Sequence, residues 1–168
     1  MPSFDQVYGQ PAASAASAAQ NPPTSNTPDA SSLPPEALDL AARLFDLART
    51  GATITLQPYL IAKLPPNLTN SSGDTLLMLA SYHGHAETAQ MLLDSGADAN
   101  VLNGRGQSPI AGAIFKGYDD VVKVLFEGGA DIRLGRPNAV ECARMFKREG
   151  CLKVFGVDDG RERDFSIS

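Results

Sequence analysis

Apolar residues recur at helical spacing in the first part of the chain, in segments that glycine or proline interrupts. Between residues 34 and 50 they lie three and four positions apart, behind two prolines and a glutamate that suit the first turn of a helix. Gly51 then ends this predicted helix. A second helix is predicted over about 53–62, where the interior Pro58 is expected to shorten the helix or delay its start.

The clearest helical hairpin lies in the middle of the chain. Helices are predicted over about 75–82 and 86–95, and the hydroxyl group of Thr75 can cap the first of them. Ser108 can do the same one unit later, where Pro109 occupies the first turn of the next helix. These elements predict an all-α chain of helix–turn–helix units.

The hairpins recur with a fixed period. Four glycines are evenly spaced along the chain, at positions 51, 84, 117 and 150, and the sequence Gly96-Ala97-Asp98 recurs at the same offset as 129–131. An even spacing of this length is typical of stacked repeats, in which each unit buries its apolar face against its neighbours. The period predicts a last, shorter hairpin with helices over about 140–148 and 151–154.

Two stretches, 73–100 and 106–131, resemble the ankyrin repeat in both period and residue types. The flanking stretches 42–67 and 137–156 resemble it more weakly, as is expected of end units that expose a polar outer face. The resemblance covers about 34–157. It implies an all-α ankyrin-repeat solenoid of three to four stacked units joined by hairpin loops.

The chain divides into three parts on this basis. Residues 1–33 are rich in Ala, Ser and Pro and are expected to be disordered, because they cannot bury enough apolar surface. Phe4 and Tyr8 leave open whether this leader carries a short binding motif. Residues 34–157 form the predicted repeat domain, and residues 158–168 form a predicted flexible tail.

The net charge of −5 argues against nucleic acid as a partner, because phosphate binding needs clustered Lys and Arg. The charge is uneven: the charged residues of 71–102 are all acidic, whereas 136–157 is mainly basic. No apolar run approaches the roughly 20 residues that span a bilayer, so no membrane association is expected. The beginning of the chain lacks the pattern of a secretory signal, which predicts a cytoplasmic protein and leaves the nucleus open.

The sequence offers no catalytic, cofactor-binding or metal-binding pattern. His83 and His85 are the two histidines; His85 is expected to pack between helices and His83 to be exposed, and no third metal ligand is near them in sequence. Cys142 and Cys151 are expected to be two packed thiols, because their separation along the chain places them too far apart for a disulfide bond.

The resemblance implies that a partner protein binds the concave face, which consists of loop tips and the exposed ends of the first helices. Tyr82 and Phe115, expected to be exposed at equivalent places in adjacent units, have the composition of a binding hot spot. The alternative is that both rings pack partly against neighbouring helices. Asn100 is expected to stabilise a turn, although its spacing also matches that of ankyrin asparagines that are hydroxylated. The positions expected to contact the partner are Arg49, Tyr82, His83, Phe115, Lys116 and Arg148 at helix ends, and Ser71, Asp74, Arg105 and Gln107 at loop tips.

The predicted function is therefore non-catalytic and requires no cofactor. We expect a monomer that binds another protein through the concave face, as an adaptor, an inhibitor or an escort. The alternative is a regulatory or docking subunit of an enzyme complex.

Overall fold

The computed structural model describes residues 27–158, so Phe4, Tyr8 and the tail beyond residue 158 lie outside the described part. A short 3-10 turn, Ala30–Ser32, precedes the helices. The α-helices of the described residues are α1 Pro35–Thr50, α2 Thr53–Ile61, α3 Leu76–Tyr82, α4 Ala86–Asp94, α5 Pro109–Lys116, α6 Asp119–Glu127, α7 Ala139–Met145 and α8 Glu149–Val154.

The helices pack as four pairs stacked in two rows. In the first row α1, α3, α5 and α7 contact one another in that order, and in the second row α2, α4, α6 and α8 do the same. One continuous apolar core runs through both rows, from Leu44 in α1 to Leu152 in α8. Within 27–158 the extended backbone forms only isolated bridges, so the predicted all-α fold class is confirmed.

Side-chain caps begin three of the first-row helices. Thr75 accepts a hydrogen bond at its hydroxyl oxygen from the amide of Met78 at 3.1 Å, and Ser108 caps α5 in the same way. Asn138 and Glu141 form a reciprocal capping box at the start of α7. The two caps that were predicted are confirmed, and each satisfies an amide that the helix leaves without an internal partner.

Helix α2 continues through Pro58, so the prediction that this proline shortens or delays the helix is wrong. Proline removes the amide that would bond to the carbonyl group of Ile54. Pro58 is exposed and Ile54 is 84% exposed, so water can reach this part of the helix and the carbonyl group that the proline leaves unbonded. The next turn is regular, with a 3.0 Å hydrogen bond from the Ala62 amide to the Pro58 carbonyl oxygen.

The fourth helix pair turns earlier than the glycine period predicts. In the first three pairs the turn between the helices contains Gly51, Gly84 or Gly117, at φ of 70°, 83° and 81°. In the fourth pair the equivalent left-handed residue is Lys147, at φ 54°, whereas Gly150 lies inside α8. The fourth member of the evenly spaced glycine series is therefore a coincidence.

This early turn changes both helices of the last pair. Helix α7 ends at Met145 rather than at 148, because the chain turns at Lys147. Helix α8 begins at Glu149 rather than at Cys151. The glycine period therefore assigns the wrong equivalent positions in the fourth pair.

Part of the predicted disordered leader packs on the stack. The Ala30 amide donates a 2.8 Å hydrogen bond to the Thr69 carbonyl oxygen, and the Thr69 amide donates a 3.0 Å bond to the Pro28 carbonyl oxygen. Ala30 is buried and belongs to the core. The structure therefore differs from the prediction for the last residues of 1–33, because these backbone bonds offset the entropy of ordering the segment.

Candidate functional site

The turn in each of the first three helix pairs is covered by a side chain of the following pair. The His85 ring lies over Gly51, where a Cβ atom would come 2.4 Å from the ring, and Tyr118 lies over Gly84 in the same way. The His85 ring is within hydrogen-bond distance of the Arg49 carbonyl oxygen, 2.7 Å from Nε2. The prediction that His85 packs and hydrogen-bonds between helices is confirmed.

Arg148 occupies this covering position in the fourth pair, so its predicted place at a helix end is wrong. The guanidinium group lies over Gly117, where a Cβ atom would collide with it at 2.2 Å. The Nε atom is buried and has no hydrogen-bond partner within residues 27–158. The error follows from the early turn, which moves Arg148 from before the turn to after it.

The two residues before each left-handed turn form a line along the first row of helices, which we call the helix-end row. Because these helices contact one another in order, their carboxyl ends lie side by side. The row consists of Arg49 and Thr50, Tyr82 and His83, Phe115 and Lys116, and Met145 and Phe146.

Tyr82 does not present an exposed ring in this row, contrary to the prediction. Its side chain is only 2% exposed and lies beside Gly112 of the next pair. The His83 ring meets it edge-on at 5.5 Å between centroids, and the Lys116 Nζ atom lies 5.1 Å from its centroid. Tyr82 therefore supports its neighbours His83 and Lys116 and does not offer its ring to a partner.

His83 is exposed, as predicted, and lies in a positive environment. Desolvation is the first cause of a lowered pKa for this imidazole, and the nearby His85, Arg49 and Lys116 lower the pKa further. These side chains come from α1, the turn after α3, and α5. We call Arg49, His83 and Lys116 the cationic half of the row.

The other half of the row is apolar. The Phe115 and Phe146 rings meet edge to face, with centroids 5.1 Å apart and planes at 78°. Met145 is 63% exposed and Phe146 is 38% exposed. We call Phe115, Met145 and Phe146 the apolar half; single exposed apolar residues are ordinary, but a cluster of them suggests a binding surface.

Met145 and Phe146 are absent from the predicted contacts because the glycine period, carried forward from Phe115 and Lys116, points to residues 148 and 149 instead. The spacing of the helix-capping residues indicates where Met145 and Phe146 lie. The step from Thr75 to Ser108 equals the step between the glycines, whereas the step from Ser108 to Asn138 is shorter. Alignment by caps rather than by glycines places Met145 and Phe146 at the helix end.

Two of the predicted loop-tip contacts are interior residues. Asp74 and Gln107 are 4% and 6% exposed, and the Asn103 side-chain amide donates to both, at 3.0 Å each. This buried network ties adjacent loops together and leaves little of either side chain for a partner. Ser71 is exposed and Arg105 is partly exposed, so these two loop positions remain accessible.

The comparisons with known proteins agree with this architecture. A family description reading "Ankyrin repeats (3 copies)" matches residues 44–135, which is more than half of the chain. The chain belongs to the ankyrin repeat family. It is also 54% identical, over 56 residues, to a Pseudomonas aeruginosa protein described as an ankyrin repeat protein. That match covers 33% of each chain, so it spans only about a third of the relative's length.

Two asparagines, one after α2 and one after α4, connect successive ankyrin repeats. The Asp98 amide donates to Asn67 Oδ1 at 2.8 Å, and one repeat later the Asp131 amide donates to Asn100 Oδ1 at 2.7 Å. Asn100 also donates through Nδ2 to the Gly129 carbonyl oxygen at 3.1 Å. The structural interpretation of Asn100 is therefore confirmed, and hydroxylation stays a hypothesis.

The two cysteines of the last repeat are buried, free thiols, as predicted. Burial raises the pKa of both to about 11, with smaller contributions from Glu141 at Cys142 and from Asp119 at Cys151. The Cys151 Sγ atom lies 3.6 Å from an Asp119 carboxylate oxygen. A thiol that is neutral at physiological pH is a poor nucleophile, so these groups are packing residues.

The described part of the chain, 27–158, contains neither a metal-ligand cluster nor a membrane-spanning helix. No cluster of three or more His, Cys, Asp or Glu residues there has the arrangement of a metal site. No helix there combines the length and the apolar character needed to cross a bilayer.

Proposed function

We propose that this chain is a non-catalytic binding protein that holds a partner protein on the concave face of its ankyrin stack, as an adaptor, an inhibitor or an escort. Ankyrin repeats are generally protein–protein interaction modules and are typically non-catalytic. A rigid stack that is already ordered loses little conformational entropy on binding. The proposal places the contact on the helix-end row and on the accessible loop residues, Ser71 and Arg105.

The observation that supports it best is the apolar half of the row. Met145 and Phe146 are exposed beside Phe115, at the carboxyl ends of two neighbouring helices. Aromatic and Met side chains are enriched where proteins bind one another. The cationic half lies next to this apolar group, so one continuous line offers both kinds of contact.

The test is affinity purification of the full chain from its native cell, read by mass spectrometry. A Met145→Ser, Phe146→Ser variant is compared with an Ile54→Ser, Ile61→Ser variant. Ile54 and Ile61 are 84% and 74% exposed but lie on α2, in the second row of helices. This control removes at least as much exposed apolar surface from outside the helix-end row.

We expect a stoichiometric partner to be lost from the first variant and kept by the control, with circular dichroism showing both to be folded. Loss of the partner from the control alone, or equal recovery by both variants, would contradict the proposal.

A further inference from the structure

We propose that the partner presents an extended segment in which acidic residues lie against the cationic half of the helix-end row and a large apolar residue lies against the apolar half. This inference rests on the proposed function and adds the chemistry of the partner. Along the row the cationic half comes first and the apolar half follows. The two halves meet in α5, where Lys116 and Phe115 are neighbours, so the order of the two kinds of contact is fixed.

The cationic half is suited to carboxylates because two permanent cations, Arg49 and Lys116, both act electrostatically on the exposed His83 imidazole. His83 lies within Coulombic range of Arg49 from α1, Lys116 from α5 and the neighbouring His85. The Lys116 ammonium group lies over the Tyr82 ring, which restricts its position. A carboxylate placed among these groups would complement the charges of Arg49 and Lys116 and would stabilise the charged form of the His83 imidazole.

Asp46 already pairs with this group, through Arg49 at 2.6 Å. Both side chains of this pair are exposed, at 41% for Arg49 and 70% for Asp46. An exposed pair contributes little free energy, so a carboxylate of the partner can replace Asp46 at small cost.

A carboxylate fits the row better than a nucleic acid phosphate backbone. Nucleic acid binding needs an extended basic surface, whereas the row holds only two permanent cations, Arg49 and Lys116. The second repeat, whose residues form the centre of the stack, carries only acidic charges over 71–102. These acidic residues, Asp74, Glu87, Asp94 and Asp98, lie outside the helix-end row. A long polyanion that extended beyond the row would meet them, whereas a short acidic segment confined to the row would not.

The apolar half completes the site. An aromatic or long aliphatic side chain placed on Phe146 and Met145 would extend the edge-to-face pair that Phe115 and Phe146 already form. Neighbouring helices pack about 8–10 Å apart, and an extended chain advances about 3.3 Å per residue, so one repeat corresponds to about three residues of partner. We therefore expect the acidic and the apolar residues to lie about three to six positions apart.

The first test is selection of binders from a phage-displayed library of short random peptides, using the full chain as bait. An Arg49→Glu, Lys116→Glu variant is selected in parallel, and a Lys123→Glu, Lys153→Glu variant serves as the control. Lys123 and Lys153 are exposed on the second row of helices, so the control makes the same change in net charge elsewhere.

We expect the wild type and the control to enrich peptides with Asp or Glu three to six positions from Phe, Trp, Leu or Met. The charge-reversed variant should bind those peptides at least tenfold more weakly. An Arg49→Ala, Lys116→Gln variant repeats the comparison if charge reversal disturbs folding. Enrichment without acidic residues, no enrichment, or equal binding by the reversed and control variants would overturn the inference. So would selection of the chain's own Asp164-Phe165 sequence, which would make the tail the occupant.

The second readout is the pKa of His83, measured by NMR with and without a saturating selected peptide. A carboxylate beside the imidazole stabilises its charged form, so the pKa should rise on binding. An unchanged pKa would overturn the inference. The affinity purification distinguishes failure of this inference from failure of the proposed function. If the Met145→Ser, Phe146→Ser variant loses a partner whose contact segment has no acidic residues, this inference is refuted and the proposed function stands.

Discussion

The second and fourth repeats, formed by the second and fourth helix pairs, carry equivalent residues at their helix ends, but the structure buries Tyr82 of the second and exposes Met145 of the fourth. In the second repeat Tyr82 is almost completely buried, beneath groups of its own and the following repeat. In the fourth repeat Met145 and Phe146 are exposed. A helix-end residue is covered only where the next repeat supplies a side chain to cover it, so position within the stack decides whether that residue is buried or accessible.

The largest expected difference between the two repeats is the effect of truncating one aromatic side chain in each. Tyr82→Ala should lower the free energy of unfolding by about 3 kcal/mol, because it leaves a cavity between repeats. Phe146→Ala should lower it by about 1 kcal/mol or less, because the ring is partly exposed and loses one ring contact. Urea denaturation of both variants measures the difference, and equal losses would refute it.

The second test concerns the left-handed turn residues of the second and fourth repeats. Glycine is replaced in one repeat and introduced at the equivalent position of the other. Gly84→Ala should destabilise the chain by about 2 kcal/mol, because alanine is disfavoured at φ 83° and its Cβ atom would lie 2.8 Å from the Tyr118 ring. Lys147→Gly should stabilise it by about 0.5 kcal/mol, since the strain relieved at φ 54° exceeds the entropy that glycine loses. Thermal melts measure both changes, and a shift of the same sign in the two variants would show that Lys147 is not the equivalent turn residue.

The cysteines give a smaller effect that reports on the fourth repeat. Folding raises their pKa values from 9.0 to about 11, so the unfolded chain releases these protons first as the pH rises. The fourth repeat should therefore lose stability between about pH 9 and pH 11, and below that range the thiols should have no such effect. Urea midpoints across this range test the prediction against a Cys142→Ala, Cys151→Val variant. An identical decline in that variant would assign it to other groups.

Much of the fold could be predicted from the sequence, because the middle repeats follow local rules. Thr75 and Ser108 cap helices as their side chains suggest, and Gly84 and Gly117 adopt the left-handed turns that suit glycine. The end of the stack could not be predicted in this way. Gly150 continues the period by coincidence, while Lys147 makes the turn.

The site was harder to predict than the fold because exposure depends on contacts between repeats. Nothing near Tyr82 in the sequence shows that Lys116, in the following repeat, covers its ring. Asp74 and Gln107 were expected at loop tips, but Asn103 draws both into a buried network. Sequence patterns assign a residue to an element, and packing between elements then decides whether a partner can reach it.

The most direct test of the account is site-specific photocrosslinking of the full chain in its native cell. A photoreactive phenylalanine analogue replaces Phe146 in one version, and it replaces Lys123, on the second row of helices, in the other. We predict a covalent adduct with one partner protein from position 146 and none from position 123. Adducts from position 123 alone, or the same adducts from both positions, would contradict binding at the helix-end row.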